Sequence, residues 1–318
     1  MKDFIITTDT TTDLPASYVN EHHLGMMSLP YTIENQTYTW EHSLPEKEFY
    51  AMMRNGSLPT TSQANPEEAE NLFENIIRTQ DVDILHIAFS SGLSGTYHAG
   101  TLAAAELEER YPGRKVCCVD TLCASMGQGL LVYHAAMRRK EGKTLEEVRD
   151  YVLKTRLQLC HWFTVDDLNH LKRGGRLSSG AAMLGTLLNI KPVLHVDDEG
   201  HLINMEKVRG RRAAIQRLAD HLRDTAFDPA DQTIFISHGD CLADAEHLAA
   251  LLKEQFGIRN VHINAIGPVI GAHSGPGTLA LFFLGSGGEA RRNRDHDVVV
   301  YGDSSAASSV STLLRYFD

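Results

Sequence analysis

Residues 82–97 read VDILHIAFSSGLSGTY. Six mostly apolar residues, 84–89, stop at Ser90, Ser91, Gly92, Leu93, Ser94, Gly95 and Thr96, and a segment rich in Ala, Leu and Glu follows over 98–110. A short apolar run bounded by turn residues is a buried strand, so the stretch predicts strand, hydroxyl-rich turn and helix N-terminus. The first backbone N–H groups of a helix lack intrahelical partners and carry the positive end of its dipole, which suits an anion. Ser94 and Thr96 add hydroxyl donors, and the loop holds no Lys or Arg. Neutral donors fit one carboxylate better than a polyphosphate. The same hydroxyls serve equally well as helix caps, and this stretch alone does not separate cap from site.

The same grammar recurs on either side. Residues 4–7 form a short strand that ends in Asp9, Thr10, Thr11, Thr12 and Asp13, with Pro15 where a helix starts. Residues 24–33 read as a second strand. In SLPTTSQANPEEAENLFENIIRT, residues 57–79, the hydroxyls Thr60, Thr61 and Ser62 precede a helix opened by Pro66, with Glu67, Glu68 and Glu70 at its positive end. Leu72, Phe73, Ile76 and Ile77 are its buried stripe. KVCCVD, residues 115–120, is another strand, and a helix runs on to Arg139. Strands alternating with helices over the first 140 residues predict a Rossmann-like parallel α/β sheet, with ligands beyond the strand ends where Asp9, Ser94 and Thr121 fall.

From His161 the pattern changes. FTVDDLNHLKRGGRLSSGAAMLGTLLNIKPVLHVDDEGHL, residues 163–202, combines a strand, a short charged helix, a Gly-Gly turn, an apolar helix and a hairpin at 197–200. The expected organisation is an N-terminal α/β domain over 1–158, a smaller α+β domain over 159–285 and a tail over 286–318, with the ligand at the domain junction. Lys172, Arg173 and Arg176 flank Gly174 and Gly175, and Lys207, Arg209, Arg211 and Arg212 follow; such charge runs are usually solvated surface, and the alternative is a patch that docks an acidic partner or phosphate group. IGPVIGAHSGPGTLALFFLG, residues 266–285, sets His273 among glycines, which reads as a loop that approaches a ligand closely.

The 318 residues carry 42% hydrophobic and 22% charged residues and a net charge of −11, with a pI near 5.8. That is ordinary globular usage, long enough for two domains, and its acidity argues against a nucleic-acid binder. Five cysteines, an odd number, predict reduced thiols and a cytoplasmic setting. The 16 histidines and the cysteines form no metal-ligand spacing, so no metal or cofactor is expected. No apolar run approaches the ~18 residues of a membrane span, so no stable membrane insertion is expected.

Taken together, TDTTTDLP, TTSQANPEE, FSSGLSGTY, VDTLCASMGQGLLV, FTVDDLNHLKRGGRLSS, LLNIKPVL, KVRGRR and IGPVIGAHSGPGTLALFFLG make the chain resemble the DegV family of bacterial fatty-acid-binding proteins from residue 5 to about 285. The resemblance implies one long-chain fatty acid, such as palmitate, stearate or oleate, in a buried interdomain tunnel. It implies Thr61 and Ser94 as carboxylate-binding residues with His273 beside the head group; Ser62, Gly95 and Thr96 are further candidate contacts at the same site. It also implies a non-catalytic protein, like the FakB subunit that presents the acid to a separate fatty acid kinase subunit, with Arg173 in the docking region; Lys172 and Arg176 beside it are the other candidate docking residues. Candidate tunnel walls are residues 181–190, with Met183, Leu184, Leu187 and Leu188, and residues 279–284, each of which fits ordinary core equally well. The alternative is a serine-dependent ester or thioester hydrolase using Ser94 and His273. Against it, no GxSxG elbow and no third orienting acid are evident. A phosphosugar-binding regulator is disfavoured by the absence of cations in the donor loop.

Overall fold

The structure, a computed structural model, describes residues 3–177 and 189–286. The expected wall residues Met183, Leu184, Leu187 and Leu188, and the tail beyond Ser286, lie outside the described residues. In chain order the strands are β1 Phe4–Asp9, β2 Gly25–Met27, β3 Tyr31–Ile33, β4 Gln36–Tyr38, β5 Thr60–Thr61, β6 Asp83–Ala88 and β7 Val116–Asp120. They continue with β8 Leu159–Thr164, β9 Ile190–Val196, β10 Leu202–Arg209, β11 Thr233–His238, β12 Asn260–Ala265 and β13 Leu279–Leu284.

A four-stranded sheet in the order β2-β1-β6-β7 is parallel throughout. β1 and β6 are buried at every position, and strands covered on both faces read as continuous runs rather than alternations. One helix pair, Pro66–Gln80 with Thr96–Arg110, packs against this sheet, as does a second pair, Met126–Lys140 with Leu145–Thr155. The result is the expected mixed α/β fold with two domains.

The second sheet has the order β10-β9-β8-β13-β11-β12 and is mixed, with β11 and β12 parallel and the other pairs antiparallel. It is wider than the first sheet, although the sequence reading expects a smaller second domain. Its strands alternate faces. Leu279, Leu281 and Phe283 of β13 join the core formed with the helices Arg211–Thr225 and Leu242–Phe256, whereas Ala280 and Phe282 join the core shared with the first sheet. The Met126–Lys140 helix lies between the two sheets and touches β1 and β6 on one side and β8, β11 and β13 on the other. Two glycines allow this double approach. A methyl at Gly127 would collide with His161, and one at Gly129 would crowd the Thr12 carbonyl. Glycine inside a helix costs about 0.5–1 kcal/mol relative to alanine, which here is the cost of close packing.

One expected strand divides. Residues 24–33 supply β2 to the parallel sheet and β3 to a small antiparallel sheet, β4-β3-β5. Pro30 sits between them and has no N–H to continue a ladder. Its carbonyl instead accepts from the Ser62 N–H at 3.1 Å, which brings the Thr61–Ser62 segment alongside.

Candidate functional site

The four-stranded sheet ends in polar residues that hold the turn after β6 in place. Asp9, fully buried at the end of β1, accepts from the Phe89 N–H at 2.9 Å and from the Gln128 amide at 3.1 Å. It thereby holds the start of the 90–95 turn against the helix beneath. Burial raises the Asp9 pKa from its ordinary value, opposed by hydrogen bonds from Thr11, Phe89 and Gln128. Ser90 donates to the Gly200 carbonyl at 2.9 Å, so this hydroxyl joins the two halves of the chain.

The hydroxyls that the sequence left ambiguous divide on inspection. The Pro66–Gln80 helix is capped by Asn65, whose side chain accepts from the Glu68 N–H at 2.7 Å, so Thr61 and Ser62 are not its caps. The Thr96–Arg110 helix begins at Gly95 without a side-chain cap. Ser94 Oγ lies 2.9 Å from Thr96 Oγ1 and accepts from the Thr96 N–H at 3.3 Å. Either hydroxyl can donate across this contact, and when Thr96 does, the Ser94 hydroxyl hydrogen is free for a ligand.

A cavity lies between the two sheets, and its walls are largely apolar. Thr61, Ser62, Gln63, Ser94, Arg176 and His273 meet at one part of it, and Leu93, Phe89, Phe163, Ala280 and Phe282 are among the apolar wall. Thr61 Oγ1 lies 2.7 Å from His273 Nε2. Burial lowers the His273 pKa to about 4, with Arg176 and then Arg173 adding to the effect, so the ring is neutral at pH 7. With its proton on Nε2, His273 donates to Thr61 and leaves the Thr61 hydroxyl free to donate to an anion; the proton's place follows from the bonding partners.

His273 is not in a loop. It occupies the last turn of the helix Pro268–Ser274, which opens with Pro268 and is ended by Gly275 at φ 81°. Gly174 faces its ring so closely that a methyl there would collide with Nδ1. The Gly-Gly turn of 174–175 is therefore part of the His273 seat, a role that its position between cations did not reveal.

Of the secondary contacts expected from sequence, Ser62 lines the cavity, and Gly95 and Thr96 do not. Thr96 is fully buried behind Ser94, with its Oγ1 accepting from the Ala64 N–H at 3.3 Å. Gly95 is covered by Gln63, which packs where a side chain on residue 95 would stand. Of the three cations expected to dock a partner, Arg173 is exposed and Lys172 is partly exposed. Arg176 turns inward: its Nε donates to the Leu93 carbonyl at 3.1 Å and its guanidinium also donates to the Gly174 carbonyl at 2.6 Å. The site thus has a cation that the donor loop lacks, delivered from 83 positions away. Gln63, Ser125 and His161 are further wall residues that the sequence reading passed over, and only their placement in the fold distinguishes them.

A family model described as an uncharacterised protein of the DegV family matches residues 3–286. A DegV domain-containing protein of Clostridium perfringens is 46% identical over 287 residues, covering 90% of this chain and 98% of that protein. Among solved structures, a DegV family protein from Thermus thermophilus, described by its fatty acid binding, is similar with a TM-score of 0.80 and 30% identity, over 90% of this chain and 100% of the other. DegV of Bacillus subtilis, described as a fatty acid binding protein, has a TM-score of 0.77 and 29% identity over the same shares. A match over this length, on a chain whose motifs converge on one cavity, leads to one conclusion: the chain belongs to the DegV family.

Proposed function

We propose that this protein binds one long-chain fatty acid in the cavity, with the carboxylate held by the Thr61 and Ser94 hydroxyls and His273 supporting Thr61 from behind. The observation that carries the reading is the meeting of Thr61, Ser94 and His273 on one largely apolar cavity. Hydrogen bonds to a carboxylate from fixed hydroxyls are strong in a site shielded from water, and apolar walls suit the tail. Arg176 supplies a positive charge near the same place. The fatty acid binding of the Thermus thermophilus and Bacillus subtilis proteins supports the ligand class.

In this reading the ligand lies between a first domain over 1–158 and a second over 159–285, and the protein performs no chemistry of its own. It presents the acid to a fatty acid kinase subunit, and the outward Lys172 and Arg173 form the docking face. Its five cysteines, none of them in a disulfide, fit the reducing cytoplasm of a bacterium. The hydrolase alternative draws no support from the geometry, because His273 engages Thr61 through Nε2 and its Nδ1 has no partner to orient it as a base.

Native mass spectrometry of the purified protein, followed by denaturation and identification of the released molecule, tests the reading. One fatty acid per chain is the expected result. A clean apo mass with no uptake of added oleate or palmitate would overturn it. Acyl-CoA turnover abolished by Ser94→Ala would replace it with the hydrolase.

A further inference from the structure

A carboxylate has more acceptor capacity than two hydroxyls can fill. Its two oxygens present about four lone-pair sites, and the Thr61 and Ser94 hydroxyls supply one donor each. Arg176 beside them is partly engaged, because its Nε donates to the Leu93 carbonyl at 3.1 Å and its guanidinium also donates to the Gly174 carbonyl at 2.6 Å. A third neutral donor is available at the same place.

Gln63 lines the cavity with Thr61 and Ser94. It follows Thr61 by two positions, and its carboxamide packs against Gly95, the residue after Ser94. The backbone on either side of it is held. The Ser62 N–H donates to the Pro30 carbonyl at 3.1 Å, and the Ala64 N–H donates to the Thr96 hydroxyl at 3.3 Å, which itself lies 2.9 Å from Ser94 Oγ. The side chain is exposed, and its carboxamide makes no hydrogen bond to any described residue, so both amide hydrogens are uncommitted. Gly95 leaves space for this group. A methyl there would stand on the Gln63 Oε1, yet its φ of −75° and ψ of 3° are open to residues with a side chain. What bars a side chain at 95 is the carboxamide, not the backbone.

We propose that Gln63 is the third ligand of the fatty-acid carboxylate: its amide N–H groups take acceptor sites that Thr61 and Ser94 leave open, from a seat that Gly95 keeps clear. The inference rests on the fatty-acid reading above and names the residue that makes the site select a head group with two acceptor oxygens. An uncharged isostere shows the difference. In heptadecan-2-one a methyl replaces one carboxylate oxygen of palmitate, and the two lone pairs of the remaining oxygen match Thr61 and Ser94.

The test measures the affinities of the intact protein for palmitate and heptadecan-2-one in the wild type, Gln63→Ala, Gly95→Ala and the double variant, with a thermal melt of each. Gln63→Ala should weaken palmitate binding roughly tenfold, the effect of one hydrogen bond to a charged group, and should weaken the ketone less, so that the preference for the acid narrows. Gly95→Ala should reproduce the palmitate loss at an unchanged melting temperature, because its methyl displaces only the end of a flexible side chain. The double variant should lose no more than Gln63→Ala, since both changes remove the same donor. Unchanged palmitate affinity in Gln63→Ala would overturn the proposal. Equal losses for acid and ketone would also overturn it and leave Gln63 as a residue that only shapes the cavity mouth, as would losses that multiply in the double variant. If the wild type binds no palmitate, the fatty-acid reading falls and takes the third ligand with it.

Discussion

Thr61 and His273 stand 212 positions apart in the chain and share a hydrogen bond of 2.7 Å between Oγ1 and Nε2. One comes from a two-residue strand of the smallest sheet and the other from a seven-residue helix that precedes β13. Their contact joins the two halves of the chain at the cavity and turns an ordinary threonine into an oriented donor.

That orientation predicts a graded loss. Thr61→Val keeps the shape and removes the donor, so fatty-acid affinity should fall tenfold or more, in line with about 1.5–3 kcal/mol for a hydrogen bond to a charged group. Ser94→Ala should behave alike. Titration calorimetry with oleate measures both, and unchanged affinity in the two variants would move the head group elsewhere.

Arg176 and Arg173 are neighbours in sequence with opposite destinations. Arg176→Gln should weaken fatty-acid binding about tenfold, because it removes the cation that lines the cavity. Arg173→Gln, on an exposed side chain, should change the same affinity by less than about twofold. Equal effects in the two variants would argue that both arginines act only through the general field of the basic patch.

Gly174 has helical backbone angles, φ −71° and ψ −11°, so alanine there carries no backbone strain. Its methyl nevertheless collides with His273 Nδ1. Gly174→Ala should displace the ring, lower fatty-acid affinity as Thr61→Val does, and destabilise the fold by about 1–3 kcal/mol through overpacking. Thermal melting beside calorimetry separates the two effects. Gly175→Ala has open space and should leave the ring alone, although its φ of 69° makes it mildly destabilising.

Asp13 predicts a pH dependence. Its carboxylate accepts from the Gly267 N–H at 2.8 Å and from the Ser125 hydroxyl, and its carbonyl accepts from the Asn264 amide at 2.7 Å. Burial raises its pKa from 3.8 to about 8 against the hydrogen bonds from Ser125 and Gly267. The folded protein therefore keeps a proton that the unfolded chain releases. This contribution is fully present below the unfolded value of 3.8 and is lost as pH rises toward 8. Buried histidines such as His273, whose pKa burial lowers to about 4, add stability as pH rises through the ordinary histidine range. Urea unfolding between pH 5 and 8 should therefore show a shallower rise, or a steeper fall, of stability with pH in the wild type than in Asp13→Asn; identical slopes would remove Asp13 as the cause.

The strand–turn–helix at 82–97 was legible in the sequence because its physics is local. An apolar run, a break at serines and glycines, and a helix former together specify a parallel sheet with a donor loop at its edge, and β6 and the Thr96–Arg110 helix follow that pattern. The capping question was legible only in part. Asn65 outcompetes Thr61 for the next helix because it stands immediately before Pro66, at the N-cap position. Glycine spacing misled at His273: glycines around a residue also fit a short helix with a tight stop, and Pro268 and Gly275 supply its start and end.

The sequence by itself determined the two-sheet α/β architecture and the hydroxyl-bearing segments 60–62 and 94–96, because periodicity and turn chemistry act between residues a few positions apart. Only the tertiary structure decided which of those hydroxyls face the cavity, and that Arg176 turns inward while Arg173 does not. Those outcomes depend on which faces meet when β13 lies between β8 and β11 and the Met126–Lys140 helix fills the space between the sheets. Residue spacing records the faces that an element offers, and only close packing selects their partners.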